Sequence, residues 1–196
     1  LISKLKFSFI SFNISNNFIE SYINKFLEFI VIKMQIIVKN EDTLIFDEFK
    51  FKCSLGQKGI TSKKIEGDKK TPKGTYALGP LYFRKDRMAE PLTKLKKIQI
   101  KKNLGWCDDI KSKFYNKPIK INEKTKHEKL FRRNKNYDLL IPIEYNTKKP
   151  TKNKGSAIFL HLTKNYKKTL GCVALKKKDM LILLKLINKK TKIKII

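Results

Sequence analysis

From Met34 onwards the sequence consists of short segments of strand composition separated by turns rich in Gly, Pro and Thr. The stretch "MQIIVKNEDTLIF" alternates apolar and polar residues, which is typical of half-buried strands. The segments "KFKCSLGQKG", "IKINEK", "YDLLIPIEYN" and "SAIFLHL" also have strand composition, and "GDKKTPKGTYALG" predicts a structured loop that enters a strand. Many short strands favour a mainly β fold, a sandwich or a barrel, over a parallel α/β sheet.

One segment near the C-terminus has the spacing of a helix instead. In "KKKDMLILLKLINKK", the apolar residues Met180, Leu183, Leu184 and Ile187 fall on one helical face. A final strand, "TKIKII", follows it. With 196 residues and 41% hydrophobic content, the chain is long enough to bury one ordinary core. We therefore expect one mainly β domain with a C-terminal helix.

Residues 1–33 differ from the rest, with an irregular mixture of Phe, Ile, Ser and Asn. Their longest apolar run, Phe26–Ile32, is interrupted by Glu28 and is too short to span a bilayer. No small-residue cleavage site follows this run, so an export signal is not evident. We expect residues 34–196 to form the domain, no transmembrane span, and residues 1–33 to be either a leader or an upstream translated segment.

The chain is strongly basic, with 46 Lys and Arg against 17 Asp and Glu and a formal net charge of +29. Such a charge attracts polyanions, including anionic wall polymers. Only four of the basic residues are Arg, and the abundance of Lys, Ile and Asn is also what drift in an AT-rich genome produces, so both explanations stay open. No specific nucleic-acid motif is present, and Arg rather than Lys makes bidentate base contacts. We expect a monomer.

The three cysteines, Cys53, Cys107 and Cys172, are an odd number with wide spacing. This argues against a disulfide framework and against a CxxC metal site, so at least one thiol is expected to be free and no metal is expected. Cys53 and Cys107 lack a neighbouring histidine or a suitable glycine turn. We expect Cys53 in the core and Cys107 in a loop without a catalytic role.

The stretch "FLHLTKNYKKTLGCVAL" combines His161 with Cys172, which follows Gly171 directly. A cysteine attacks only as thiolate, so it needs a neighbouring base. Two adjacent antiparallel strands joined by the polar loop would bring the two side chains together. Gly171 permits a sharp turn, its N–H and that of Cys172 are candidates for an oxyanion hole, and the Thr169 hydroxyl is a further donor. The alternative is that Cys172 simply fills the core.

These residues resemble the catalytic domain of the L,D-transpeptidases of YkuD type, which has a His on one strand, a loop, then Ser or Thr, a variable residue, Gly and the nucleophilic Cys. Upstream, "GDKKTPKGTY", "GWCDD", "YN", "HEKL" and "YDLLIPIEYN" resemble stretches of the family's stand-alone branch in the same order. The resemblance covers about residues 36–196. Two departures stand near the nucleophile: Leu170 replaces a second His, and Ala174 replaces Arg or Asn. The spacing from His to Cys is also shorter than in many members.

The resemblance implies the family's β sandwich with short helices and a cysteine acyl transfer. In that reaction His161 deprotonates Cys172, the thiolate attacks the bond after the third residue of a peptidoglycan tetrapeptide stem, and D-Ala leaves. A second stem then takes the acyl group, which makes a transpeptidase; water as acceptor would make an L,D-carboxypeptidase. No cofactor is implied, and the location implied is the periplasm or cell wall. A basic polyanion-binding protein is the non-enzymatic alternative. An activated Cys172 is expected to label at mildly acidic pH before the other thiols.

Five further residues are candidates for substrate binding. His127 and Glu128 either orient substrate or make a solvated loop contact. Trp106 either forms the floor of a peptide-binding groove or packs in the core. Tyr145 and Asn146 end a predicted strand before "NTKKPTKNKG", which we expect to be a mobile linker that overhangs the site. Asp108 and Asp109 either bind a stem-peptide amine or, the favoured interpretation, are solvated surface charges.

Overall fold

The computed structural model describes residues 21–23, 25, 35–40, 42–121 and 125–196. The chain divides into two units between Lys33 and Met34, and residues 21–23 and 25 of the first are helical. Most of the expected leader, residues 1–33, lies outside the described residues, and its role stays a prediction. The last three residues of the predicted strand "IKINEK" also lie outside them.

Within the described residues, the second unit contains fifteen strands and one helix, arranged around a curled ten-stranded sheet. In chain order these are β1 Gln35–Lys39, β2 Thr43–Phe46, β3 Phe49–Ser54, β4 Ile60–Thr61, β5 Thr71–Pro72, β6 Gly74–Ala77, β7 Leu81–Phe83, β8 Lys97–Gln99, β9 Leu104–Cys107, β10 Pro118–Lys120, β11 His127–Lys129, β12 Leu139–Pro142, β13 Phe159–Leu162, β14 Val173–Leu175, α1 Lys177–Leu186 and β15 Lys192–Ile195. The main sheet has the order β6-β15-β1-β2-β3-β14-β13-β12-β7-β8. This mainly β architecture confirms the predicted fold class.

One half of the main sheet follows from the alternating sequence. Strands β1, β2 and β3 form successive antiparallel pairs, and β15 returns to lie parallel to β1 and antiparallel to β6. Along β1 and β2 every second side chain is buried, as the alternation predicts, and Lys192 and Lys194 of β15 point to solvent between buried isoleucines. The inner face of these strands joins the main hydrophobic core.

The helix α1 covers one face of the sheet. Met180, Leu183 and Leu184 are fully buried, and Ile187, which follows the helix in an extended conformation, is buried with them. The predicted apolar face is therefore confirmed, and the helix ends earlier than "LINKK" suggested because Ile187 leaves the helical backbone. Leu160, Leu162, Val173 and other residues from the middle of the sheet complete this core.

The opposite face of the middle strands packs against a second, three-stranded sheet of order β10-β9-β11. Between the two sheets lies a smaller apolar cluster that includes Trp106, Tyr137, Phe159 and Cys172. Cys107 is fully buried in β9, so its expected position in a loop is wrong: the turn residues "DD" begin only after it. Cys53 lies in the main core, as expected.

Candidate active site

His161 and Cys172 are brought together by a parallel strand pair. Strands β13 and β14 run parallel, with His161 opposite Ala174, which corrects the antiparallel arrangement expected from the sequence. The intervening chain crosses back instead of forming a hairpin, and a bridge between Gly56 and Thr169 fixes its path. Because side chains alternate along a strand, Cys172 lies on the same face as Ala174 and His161. All three line one cavity of about 550 Å³.

Cys172 is held as a thiol by its surroundings. Its side chain is 8% exposed; Sγ–H donates to the Ala157 carbonyl at 3.3 Å, and Sγ accepts the Phe159 N–H at 3.3 Å. Burial, and after it the negative charge of Glu128, raise the pKa of the Cys172 thiol to about 12. The expected labelling at mildly acidic pH stays a prediction, and this buried environment does not favour it, because burial opposes formation of the thiolate.

His161 is held as a neutral imidazole. Burial lowers the pKa of His161 to about 4. The hydrogen bond to the Leu162 backbone opposes this shift, the nearby charge of Arg132 adds to it, and a weaker effect of the Asn136 backbone opposes it. Nδ1 lies 2.8 Å from the Leu162 carbonyl oxygen, so Nδ1 carries the proton and Nε2 carries the free lone pair. Both members of the pair are uncharged across the physiological range.

The turn before Cys172 is tied by the Thr169 side chain. Its Oγ1 accepts the Gly171 N–H at 3.1 Å and donates to the Cys172 carbonyl at 2.7 Å. The Thr169 hydroxyl was expected to donate into the site, but its proton is used within the turn. Gly171 has a φ of +140°, and a Cβ there would lie 2.9 Å from the Lys70 carbonyl oxygen. A residue without Cβ is therefore required beside Cys172.

Replacing Gly171 with alanine is expected to lower the free energy of unfolding by about 2–3 kcal/mol, because the methyl group both strains φ and collides with backbone. Gly67→Ala is the matched control: its φ is +75°, but nothing lies within 4 Å of the added Cβ, so about 1 kcal/mol is expected. Urea unfolding of both variants measures the difference. If both variants lose the same free energy of unfolding, a small movement of the Lys70 backbone must relieve the collision with the added methyl group.

The cavity wall beside His161 contains a linked set of polar residues. Tyr137 and Arg132 both donate to Glu128 Oε1 at 2.5 Å, and the Arg132 guanidinium carbon lies 4.1 Å from the centre of the Tyr137 ring. Burial raises the pKa of Glu128, while its two donors oppose that shift. Sequence reasoning selected Glu128 but missed Arg132 and Tyr137. The available signal was that Arg132 is one of only four arginines.

Asp108 also lines the cavity, which corrects the favoured view of it as a solvated surface charge. Its Oδ1 is buried and has no hydrogen-bond partner among the residues that the structure describes. Burial raises the pKa of this carboxyl, with Lys126 opposing the shift. Asp109 has a different position: its Oδ1 accepts the Lys111 N–H at 2.9 Å and stabilises a turn.

Four of the expected substrate-binding residues do not line the cavity. His127 lies in β11, with Nδ1 2.6 Å from the Thr125 carbonyl oxygen. Trp106 is buried in β9, where its ring meets Phe159 edge-on at 5.1 Å and its Nε1–H donates to Asn116. Trp106 thus packs beneath the strand that carries His161. Among the five candidates, Glu128 alone faces the cavity in the described structure.

Tyr145 and Asn146 instead hold the expected linker. The Asn146 side chain donates to the Thr151 and Gly155 carbonyls at 3.0 and 2.9 Å and accepts the Thr151 N–H at 2.8 Å. Tyr145 donates to the Lys154 carbonyl. Residues 146–155 are therefore tied into a defined loop, and none of them lines the cavity, which corrects the expected overhang. The residues that do line the entrance include Gly67, Lys168 and Leu170.

The two departures near Cys172, Leu170 and Ala174, occupy opposite environments. Leu170 is 68% exposed at the cavity, whereas Ala174 is fully buried between His161 and Ser54 on the neighbouring strands. A longer side chain at position 174 would lie next to His161, with which Ala174 pairs and shares the cavity.

Comparison with known proteins assigns residues 31–195 to a family. The family described as the L,D-transpeptidase catalytic domain, YkuD, matches residues 31–195. The chain belongs to the YkuD family. No curated protein matches the chain significantly. The match spans His161, the Thr169–Cys172 turn and the cavity wall, and YkuD domains act on cell-wall peptidoglycan.

Three solved structures illustrate how this YkuD domain compares with others. The helical cell shape determining protein Pgp2 of Campylobacter jejuni has 17% identity and a TM-score of 0.45, covering 82% of this chain and 46% of that one. Bd1075 of Bdellovibrio bacteriovorus has 16% identity and a TM-score of 0.45, with coverage of 84% and 48%. An L,D-transpeptidase from Mycobacterium smegmatis has 9% identity and a TM-score of 0.40, with coverage of 84% and 58%. The chain thus spans about half the length of these proteins.

Two general features of the described residues bear on the site. They contain no group of three or more His, Cys, Asp or Glu side chains arranged to hold a metal ion. No helix among them is long and apolar enough to cross a membrane.

Proposed function

We propose that this YkuD domain is a cysteine peptidoglycan L,D-transpeptidase, which transfers the acyl group of a tetrapeptide stem to an amine of a second stem. One observation carries the proposal: His161 and Cys172 share one face of the β13–β14 pair and line the same cavity, with a free lone pair on His161 Nε2. A thiol and an adjacent unprotonated imidazole are the two groups that such an acyl transfer requires.

The first half of the reaction forms an acyl-enzyme. As Cys172 Sγ attacks the carbonyl carbon after the third stem residue, its proton passes to His161 Nε2. Because both groups start uncharged, the charges develop only as the attack proceeds. The Gly171 N–H is already bonded to Thr169, so the Cys172 N–H is our candidate donor to the oxyanion. The imidazolium then protonates the leaving amine of D-Ala.

The second half returns the enzyme to its starting state. The acceptor amine gives a proton to His161 as it attacks the thioester carbonyl, and the proton then returns to Cys172 as the thiol leaves. Neither half calls for a metal or an organic cofactor. We place residues 34–196 as the catalytic domain, acting outside the cytoplasmic membrane on peptidoglycan, where its positive charge favours anionic wall polymers.

The product of a tetrapeptide muropeptide tests the proposal. Incubation with the full chain, followed by mass spectrometry, is expected to give cross-linked dimers with loss of D-Ala. Tripeptide without dimers would show that water is the acceptor and that the chain is an L,D-carboxypeptidase. If the muropeptide stays unchanged while the protein binds wall polymer, the enzymatic proposal fails and the polyanion-binding alternative takes its place.

A further inference from the structure

The wall of the cavity beside His161 is fixed by arginines. Arg84 Nη1 donates to the Arg132 carbonyl at 2.8 Å, and Arg87 donates to the carbonyls of Arg133 and Asn134 at 3.0 and 3.1 Å. Arg87 also pairs with the buried Asp138 at 2.7 Å. Residues 128–138, which we name the arginine-held segment, are thus anchored by guanidinium groups, whose five N–H donors are spread over a rigid plane instead of sharing one nitrogen as in Lys.

Tyr137 of the arginine-held segment contacts the catalytic histidine directly. Its ring centre lies 5.1 Å from that of His161 at 64°, and 5.9 Å from that of Phe159 at 86°. Its hydroxyl donates to Glu128 and its face is covered by Arg132. Tyr137 is therefore constrained at its edge, its face and its hydroxyl, with only 5% of its surface exposed.

The hydrogen bonds of His161 go to backbone groups. Its Nδ1 lies 2.8 Å from the carbonyl oxygen of the next residue, Leu162, and the Asn136 backbone makes a further bond. Catalytic histidines are commonly oriented by a carboxylate, but the nearby carboxylate of Glu128 is bonded to Tyr137 and Arg132. Within the described residues no carboxylate is bonded to His161.

We propose that Tyr137 is a positioning residue that orients the His161 ring toward Cys172 and excludes water from it, held in place by Glu128 and Arg132. This rests on the proposed function, in which His161 is the base. An uncharged orienting group differs from a carboxylate because it does not stabilise the imidazolium. The charged side chains that act on this pair are Arg132, Glu128 and Lys64. His161 should consequently stay unprotonated, and the enzyme active, well into the acidic range.

The first test uses nuclear magnetic resonance and does not depend on activity. The chain has only two histidines, so the His161 signal is assigned by comparison with a His127→Gln variant. In the wild-type protein His161 is expected to titrate near pH 4. Tyr137→Leu should admit water to the ring and raise this midpoint by at least about one unit, toward the ordinary value. An unchanged midpoint would overturn the proposal.

A matched control separates positioning from simple loss of packing. Tyr82 belongs to the same apolar cluster and meets Trp106 edge-on at 6.5 Å, and Leu140 of β12 separates it from His161. Tyr82→Leu should lower the midpoint of urea unfolding about as much as Tyr137→Leu, yet leave the His161 titration in place. If both variants shift the titration equally, Tyr137 has only a structural role.

Kinetics provide the second readout. With a muropeptide substrate, Tyr137→Leu is expected to lower kcat about a hundredfold with KM nearly unchanged, and to move the acidic limb of the pH profile upward. Tyr137→Phe, which keeps the ring, should restore kcat to within about tenfold of wild type. A wild-type protein without any activity would count against the proposed function alone, because the His161 titration would still decide the role of Tyr137.

Discussion

Replacement of Cys172 by alanine is expected to lower muropeptide processing at least about a thousandfold, while the protein stays folded. The sulfur atom is the nucleophile in the proposed reaction, so its loss removes the acyl-enzyme and leaves only binding and the oxyanion donor. The side chain lies at the edge of the smaller apolar cluster, and its removal deletes one atom, so the stability loss should be limited. Loss of D-Ala release, followed by mass spectrometry, measures the effect.

The other two thiols provide matched controls for this experiment. Cys53 and Cys107 are as buried as Cys172, but neither lines the cavity. Cys53→Ala and Cys107→Ala should therefore retain wild-type kcat, with any change confined to stability. Activity that survives in Cys172→Ala, or that disappears in either control, would show that another group is the nucleophile.

Removal of the Asn116 side chain is expected to lower the free energy of unfolding more than most single substitutions in this protein. Its Oδ1 accepts the Trp106 Nε1–H at 2.9 Å and the Ala157 N–H at 3.0 Å, while its Nδ2 donates to the Tyr145 and Asn146 carbonyls at 3.1 and 2.7 Å. The residue is 1% exposed and has a φ of +57°, a conformation that Asn tolerates better than Ala. It holds Ala157, whose carbonyl accepts the Cys172 thiol proton.

Asn116→Ala is accordingly expected to lower the free energy of unfolding by roughly 3–5 kcal/mol, because two buried N–H donors and two carbonyls lose their partner. Asn188→Ala is the control: its side chain accepts an exposed backbone N–H, and a loss below about 1 kcal/mol is expected. Urea unfolding compares the two. Similar losses would show that water replaces Asn116 in the interior.

Sequence patterns predicted those structural features that depend on residues close together in the chain. Alternation predicted the paired strands β1 and β2, the 3.6-residue period predicted the face of α1, and the His161 and Cys172 motif predicted which side chains face one cavity. The direction of β13 relative to β14 was not predictable in this way. It depends on the path of residues 163–172, which a bridge to Gly56, more than a hundred residues earlier, determines.

The rest of the site depends on contacts between distant segments. Arg84 reaches Arg132 across 48 residues, and Asn116 reaches Ala157 across 41. Short-range sequence patterns do not predict such long-range pairs, so the sequence alone did not identify Tyr137 and Asn116. Asp108 was assigned to the surface because charge normally predicts exposure, but the fold turns its Oδ1 inward. Sequence pattern thus predicts which residues form strands more readily than which polar groups these strands enclose.

The burial of Cys172 has a consequence for chemical durability. Peroxides oxidise thiolates far faster than thiols, and the products beyond sulfenic acid are irreversible. Because burial raises the pKa of Cys172 to about 12, this thiol presents almost no oxidisable thiolate in the free protein. Cys53, whose pKa is also raised to about 12 by burial, is protected in the same way. In the proposed reaction, the Cys172 sulfur would therefore become readily oxidisable only while it attacks a substrate, and it would be protected from peroxides between turnovers.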